Sequence, residues 1–272
     1  ALQVALVMVT ILVVLLVIGA PIGVAIGMSS AVSMICMIPA DVSFATSAQR
    51  IFAGSNSFSL IAIPFFILAG NIMNNGGIAT RLVNCAKVIS GRMPGALAQS
   101  NVVANMLFGA ISGSGAAAAA AMGGTIGPLE EKEGYDKNYS TAVNVASAPV
   151  GMLIPPSNTM IVYSSVAGSV SIAALFMAGY IPGLLWGGAV MILAGIMAKK
   201  RGYQAEQRVP VKVALKTFWQ AIPSLLLIVI VIGGILGGIF TATEGSAIAV
   251  VYATVLSLIY KAFKIKDIPR IV

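Results

Sequence analysis

The chain has 272 residues, 58% of them apolar and 9% charged; sixteen Lys and Arg oppose eight Asp and Glu, a net charge of +8, and histidine is absent. A soluble domain carries about a quarter charged residues, so composition excludes one. Long unbroken apolar runs likewise exclude a β-barrel, whose strands alternate over about ten residues. The expected class is an all-α, polytopic membrane protein. Without histidine there is no Ser-His-Asp or Cys-His catalysis, no His-ligated haem and no ordinary zinc site. Cys36 and Cys85 are too few for a disulfide framework and read as buried apolar filler. The basic residues form short clusters between apolar runs rather than one stripe, which fits membrane orientation and not nucleic acid.

Residues 1–40 carry no charge. As one helix, Ala1 to Ile38 would be about 57 Å long, too long for one crossing at 1.5 Å per residue. The turn Gly19-Ala20-Pro21 divides it into helices expected at 2–18 and 21–38. The first charge is Asp41, so no cleavable signal opens the sequence and its first segment is expected to be embedded itself. Residues 39–50 then read as an outer connection and 55–74 as a span. Gly76 to Arg92, with apolar Ile78, Leu82, Val83, Cys85, Ala86 and Ile89 against Arg81, Lys87 and Arg92, reads as a helix on the inner surface. Val209 to Gln220 reads likewise. Bracing of a moving domain and simple lipid anchoring are equal alternatives for both.

The next charge-free run, 93–129, has an awkward length. Its limbs, Gly95–Ile111 and Ala116–Gly127, are about 25 Å and about 18 Å long as helices, and the second is too short to cross. The run therefore enters and returns as a re-entrant hairpin with Ser112-Gly113-Ser114-Gly115 at its tip. Run 138–198 is interrupted too. Asn138–Gly151 and Thr159–Gly168 are half-membrane helices separated by Met152-Leu153-Ile154-Pro155-Pro156-Ser157-Asn158. The two prolines remove two amide donors and disfavour helix before them. A full helix over 171–198 follows, then two more, 221–240 and 244–260, joined at Phe240-Thr241-Ala242-Thr243. Placing the start outside and the Pro21 turn inside puts fifteen of the sixteen Lys and Arg on the cytoplasmic side, with only Arg50 outside, as the positive-inside rule requires.

Irregular backbone at membrane depth survives only in protein or facing a wet cavity, and paired breaks at the midplane characterise secondary transporters. The tip offers carbonyls and hydroxyls, and the second break offers Ser157, Asn158 and Thr159. Such neutral oxygens suit a hard monovalent cation, whereas a divalent ion wants carboxylates that neither run contains. The helix starting after Asn158 points a partial positive charge at the same region and favours an anion. The Ala116–Ala121 run and the glycines at 19, 23, 27, 234 and 238 read as close helix packing. Glu244 reads as a helix-start charge, with a proton relay as the alternative. An intramembrane enzyme using Ser112 or Ser114 has no general base available, so no enzyme activity is expected.

Phe240-Thr241-Ala242-Thr243-Glu244, Ser112-Gly113-Ser114-Gly115-Ala116 and Ile154-Pro155-Pro156-Ser157-Asn158, in this layout, resemble the large membrane subunit of TRAP (tripartite ATP-independent periplasmic) transporters. The resemblance implies half of an inverted-repeat elevator fold: scaffold helices and an inner arm over 1–92, a transport-domain hairpin and broken helix over 93–170, a returning helix and arm over 171–220, and the first two helices of a second repeat over 221–272. Gly19, Gly27, Ala31 and Val32 match Gly237, Gly245, Ala249 and Val250 at a constant offset of 218, in keeping with that repeat. The resemblance further implies Na⁺-coupled import of an organic acid such as a dicarboxylate, sialic acid or other sugar acid. Its implied partners are a periplasmic binding protein and a small four-helix membrane subunit, in the bacterial inner membrane, with the start of the chain periplasmic. The family's ion site carries over to Ser112, Gly113, Ser114, Pro155, Asn158 and Thr159, and the substrate contacts to Ser157 and Asn158. A binding-protein-independent divalent-anion/Na⁺ symporter is the alternative, and an ion channel a more distant one.

Overall fold

The computed structural model describes residues 2–168, 170–203 and 210–262. Of the basic residues counted above, Arg208, Lys264, Lys266 and Arg270 lie outside them. The described residues form helices and no strand, in two compact units, 1–57 and 58–272.

The first unit holds α1 (Leu2–Val17), α2 (Ile22–Ile35) and α3 (Ala40–Ser55). The expected break falls where it should: Gly19 takes φ +88° and Pro21 precedes α2, a combination only glycine and proline adopt cheaply. Residues 39–50, read as a connection, instead open a 16-residue helix behind Pro39. Its buried Ser43 donates to the Ala31 carbonyl of α2 at 2.8 Å. Gly19 and Gly23 have no atom of this chain within 4 Å of where a Cβ would stand, while Gly27 meets Ile51 Cδ1 at 4.0 Å.

The second unit begins with a 3₁₀ turn, Phe58–Ile61, that runs into α4 (Ala62–Asn75). Then come α5 (Ile78–Ser90), the hairpin limbs α6 (Ala96–Ser112) and α7 (Gly115–Thr125), and a short α8 (Gly127–Lys132). The broken helix is α9 (Lys137–Ser147), α10 (Val150–Leu153) and α11 (Asn158–Ala167), followed by α12 (Ile172–Lys200), α13 (Val211–Leu236) and α14 (Ala242–Ile259). The 3₁₀ turn with α4, and α12, α13 and α14, are each long and apolar enough to cross a membrane, and the broken helix makes a fifth candidate with a 46° bend. The core of this unit is built from side chains of several of these helices, with Phe66, Phe108 and Phe176 fully buried.

Two segments depart from the sequence reading. The arm helix α5 packs its buried Ile78, Leu82, Val83 and Ala86 into the same core as the hairpin, within the compact unit that starts at residue 58. Residues 211–220 are not a separate surface helix; they are the first turns of the 26-residue α13. At 1.5 Å per residue α13 spans about 39 Å, longer than the hydrocarbon layer of about 30 Å, so Lys212 and Lys216 sit on the overhang. Glu244 closes a capping box at the start of α14, accepting from the Thr241 amide at 2.7 Å while Thr241 Oγ1 accepts from the Glu244 amide at 3.3 Å. The helix-start reading of that carboxylate is therefore the one the structure realises.

Candidate functional site

The hairpin tip and the broken-helix loop meet because glycines let their backbones cross. A Cβ on Gly151 would stand 2.7 Å from Gly109 Cα, and one on Gly115 would stand 2.9 Å from the Ala148 carbonyl oxygen. Behind the loop, α12 offers Gly179, Gly183 and Gly187 at four-residue spacing. Leu153, Ile154 and Met106 fill the space their side chains would need.

At the crossing, Gly113 takes φ +63° and ends α6. A Cβ there would lie 2.9 Å from the Pro156 carbonyl oxygen. The Asn158 amide donates to the Gly113 carbonyl at 3.2 Å, and Asn158 Nδ2 reaches the Ser112 carbonyl at 3.4 Å. Asn158 Oδ1 is buried with no hydrogen-bond partner. Ser114 Oγ accepts from Ala117 N and caps α7; Ser157 Oγ accepts from Met160 N, caps α11, and donates to the Met152 carbonyl. Two helix N-termini therefore start at one crossing, each opened by a serine, where the sequence reading anticipated one.

Of the predicted residues, Ser112, Gly113 and Asn158 make the contacts of the crossing, and Ser114, Pro155 and Ser157 flank it in sequence. Ser112, Pro155 and Ser157 are buried, while Thr159 is exposed on the first turn of α11. The Ser157 hydroxyl gives its proton to the Met152 carbonyl and one lone pair to the Met160 amide, so it starts α11 and keeps one lone pair. The unpartnered oxygen is Asn158 Oδ1. Neutral carbonyl, amide and hydroxyl oxygens fit a monovalent cation. Among the described residues no group of three or more Asp, Glu, Cys or His gathers for a metal of another kind.

Below the crossing runs a buried amide ladder that the sequence reading missed. The two hydrogens of Asn105 Nδ2 are shared among Asn101 Oδ1 at 2.9 Å, Asn144 Oδ1 at 3.0 Å and Ser147 Oγ at 2.7 Å, and Asn144 Nδ2 donates to the Ala119 carbonyl at 2.9 Å. It ties α6, α7 and α9 together. Four polar side chains inside charge-free runs were its available signal. At its foot, Glu130 on α8 is 1% exposed, and burial pushes its carboxyl up to about 7, with the Glu133 charge adding to the rise. The nearby Ser140 hydroxyl, turned towards the carboxylate, holds the rise back, although the contact is too poorly aligned to satisfy Glu130 Oε1 or Ser140 Oγ. Nearby, Asp136 caps α9 through Tyr139 N at 2.9 Å and pairs with Arg201 Nη1 at 3.1 Å. Those bonds hold its carboxyl below the usual range, the Tyr139 amide contributing most.

Apolar spans enclosing two interlocked helix breaks define a multi-pass membrane protein of the discontinuous-helix kind. The chain belongs to the family of the tripartite ATP-independent periplasmic transporter, DctM component, whose family model matches residues 9–272. Among its relatives is the uncharacterized protein YgiK of Salmonella typhimurium, 53% identical over 88% of this chain and 56% of that protein. The C4-dicarboxylate TRAP transporter large permease protein DctM of Rhodobacter capsulatus is 38% identical over 83% of this chain and 54% of its own length. The sialic acid TRAP transporter large permease protein SiaM of Vibrio cholerae is 40% identical over 78% and 50%. The chain thus spans about half the length of the curated relatives it matches.

Proposed function

We propose that this chain is part of the large subunit of a Na⁺-coupled organic-acid importer. It would work by an elevator motion in the bacterial inner membrane, with the Leu2 end and Arg50 periplasmic and α8 on the cytoplasmic side. The observation that carries the reading is the interlocked crossing, where Asn158 Oδ1 and the Ser112 and Gly113 carbonyls stand together, and Asn158 Oδ1 lacks a partner. A cation held by these oxygens tightens the loop onto the tip, and the N-termini of α7 and α11 favour an anionic cargo beside it. Coupling follows when cation and anion each bind better in the other's presence.

The role is carriage rather than catalysis. The cargo class is an organic acid; permeases named for a dicarboxylate and for sialic acid stand at nearly equal identity, so similarity does not choose between them. The partners are a small membrane subunit and a periplasmic binding protein that delivers the acid. The test is reconstitution of the complete permease with candidate binding proteins, each carrying a different acid. Asn158→Ala with Ser114→Ala is expected to weaken Na⁺-dependent uptake while leaving expression largely intact. Uptake that keeps its full Na⁺ dependence in that double variant refutes the reading.

A further inference from the structure

A second polar site lies at the foot of the hairpin, away from the crossing. Here α6, α7, α8 and α9 line a half-open cavity of about 350 Å³ whose wall includes Asn101, Glu130, Ser140 and Asn144, with Glu131 and Lys137 at its rim. Glu130 and Asn101 are each 1% exposed and Ser140 is 9% exposed. Each carries a buried polar atom with no hydrogen-bond partner: Glu130 Oε1, Asn101 Nδ2 and Ser140 Oγ. Three unpaired polar atoms around one cavity are an unfinished set of bonds, since buried polar groups are ordinarily satisfied.

We infer that this cavity is a second cation site, separate from the hairpin tip, which takes a partly hydrated monovalent cation against the Glu130 carboxylate. A buried carboxylate needs a counter-charge. Among the described residues the one ion pair joins Arg201 to Asp136; Lys137, exposed beside the cavity, does not pair with Glu130. Glu130 supplies the charge, and Ser140 Oγ and Asn144 Oδ1 supply neutral oxygens. The volume of about 350 Å³ holds roughly twelve waters at about 30 Å³ each, so the ion keeps part of its shell. A retained water accepts from Asn101 Nδ2 with one lone pair and faces the cation with the other. A divalent ion wants more carboxylates than gather here, and an anion is repelled by Glu130. Asn101 and Asn144 belong also to the amide ladder, so an occupant bears on the two helices, α6 and α9, whose far ends lead to the crossing.

Equilibrium binding of radioactive Na⁺, and of Rb⁺ as a stand-in for K⁺, to the purified complete permease tests this. Glu130→Gln is expected to bind one cation fewer per protomer, while Asn158→Ala retains the Glu130-dependent ion. Unchanged stoichiometry in Glu130→Gln, or loss of the same single ion in both variants, overturns the inference. Should Glu130→Gln not fold, Ser140→Ala decides: about tenfold weaker binding of that ion is expected for a lost oxygen ligand to a charged species, and an unchanged titration overturns the site.

Discussion

Replacing Gly151 by alanine places one methyl group at the narrowest point of the crossing. The new Cβ would stand 2.7 Å from Gly109 Cα, 3.6 Å from the Gly109 carbonyl carbon and 3.8 Å from Ala118 Cβ. Carbon atoms in ordinary contact sit about 3.5–4.0 Å apart, so α10 must withdraw from α6 by roughly 1 Å. The two hydrogen bonds that join loop to tip, 3.2 Å from Asn158 N to Gly113 and 3.4 Å from Asn158 Nδ2 to Ser112, are already long and have no slack for that movement. Overpacking costs about 1–3 kcal/mol and each lost hydrogen bond about 0.5–1.5 kcal/mol. The gain in helix propensity returns at most about 1 kcal/mol, so the net effect is destabilising. Gly124→Ala is the control: it too lies in a helix, and nothing lies within 4 Å of its Cβ position, so it is expected to be neutral or stabilising by up to about 1 kcal/mol. Thermal unfolding of the complete permease, read alongside its Na⁺ affinity, separates the two. Gly151→Ala should lower both. If it behaves like Gly124→Ala, the crossing does not hold the site together.

Other outcomes follow from the same geometry. In choline buffer the Glu130 carboxyl, ordinarily near 4.5 and raised to about 7 in the fold, makes stability fall as pH rises. The protonated form's advantage is complete below 4.5, is lost between 4.5 and about 7, and is worth about 3 kcal/mol at most at ~1.4 kcal/mol per pH unit. Glu130→Gln should lack that slope in a pH series of unfolding midpoints, and a parallel slope would refute the assignment. Asp136→Ala should destabilise more than Arg201→Gln, because Asp136 also caps α9 whereas the ion pair is about two-fifths exposed on each side; equal losses in the same unfolding assay would contradict this. Gly113→Ala should lower the unfolding midpoint and impair Na⁺ binding, since φ +63° disfavours a side chain and the Pro156 carbonyl occupies its space.

Much of this was legible in the chain because bilayer thickness is a ruler. Charge-free runs too short or too long for that ruler gave the hairpin limbs at Gly95–Ile111 and Ala116–Gly127, against α6 at Ala96–Ser112 and α7 at Gly115–Thr125. The double proline located the second break. What escaped has particular causes. Helix α3 mixes Asp41, Gln49 and Arg50 with small residues, so hydropathy gave it no span-like signature although its backbone is helical. Helix α13 was cut in two because Lys212 and Lys216 were taken to end a span, when long basic side chains simply ride the overhang of a long helix. The glycines at 179, 183 and 187 carried a readable four-residue spacing, but spacing alone did not tell this seam, which is filled, from the pair at 19 and 23, which no atom of this chain fills. Asn101 and Asn105 lie on α6 and Asn144 on α9, about forty residues away in sequence, so only the fold aligns them, and nothing in the local sequence marks Glu130 as buried.

Pro155 and Pro156 have a consequence beyond breaking a helix. Their nitrogens carry no hydrogen, so this stretch of chain presents electron-rich atoms without matching donors, and it does so without an ionisable group of its own. Acidity has nothing there to act on: between mildly acidic and mildly alkaline media, the grip of the crossing on a metal ion should stay level, while the carboxylate-lined chamber at the other end of the hairpin weakens as protons compete for it.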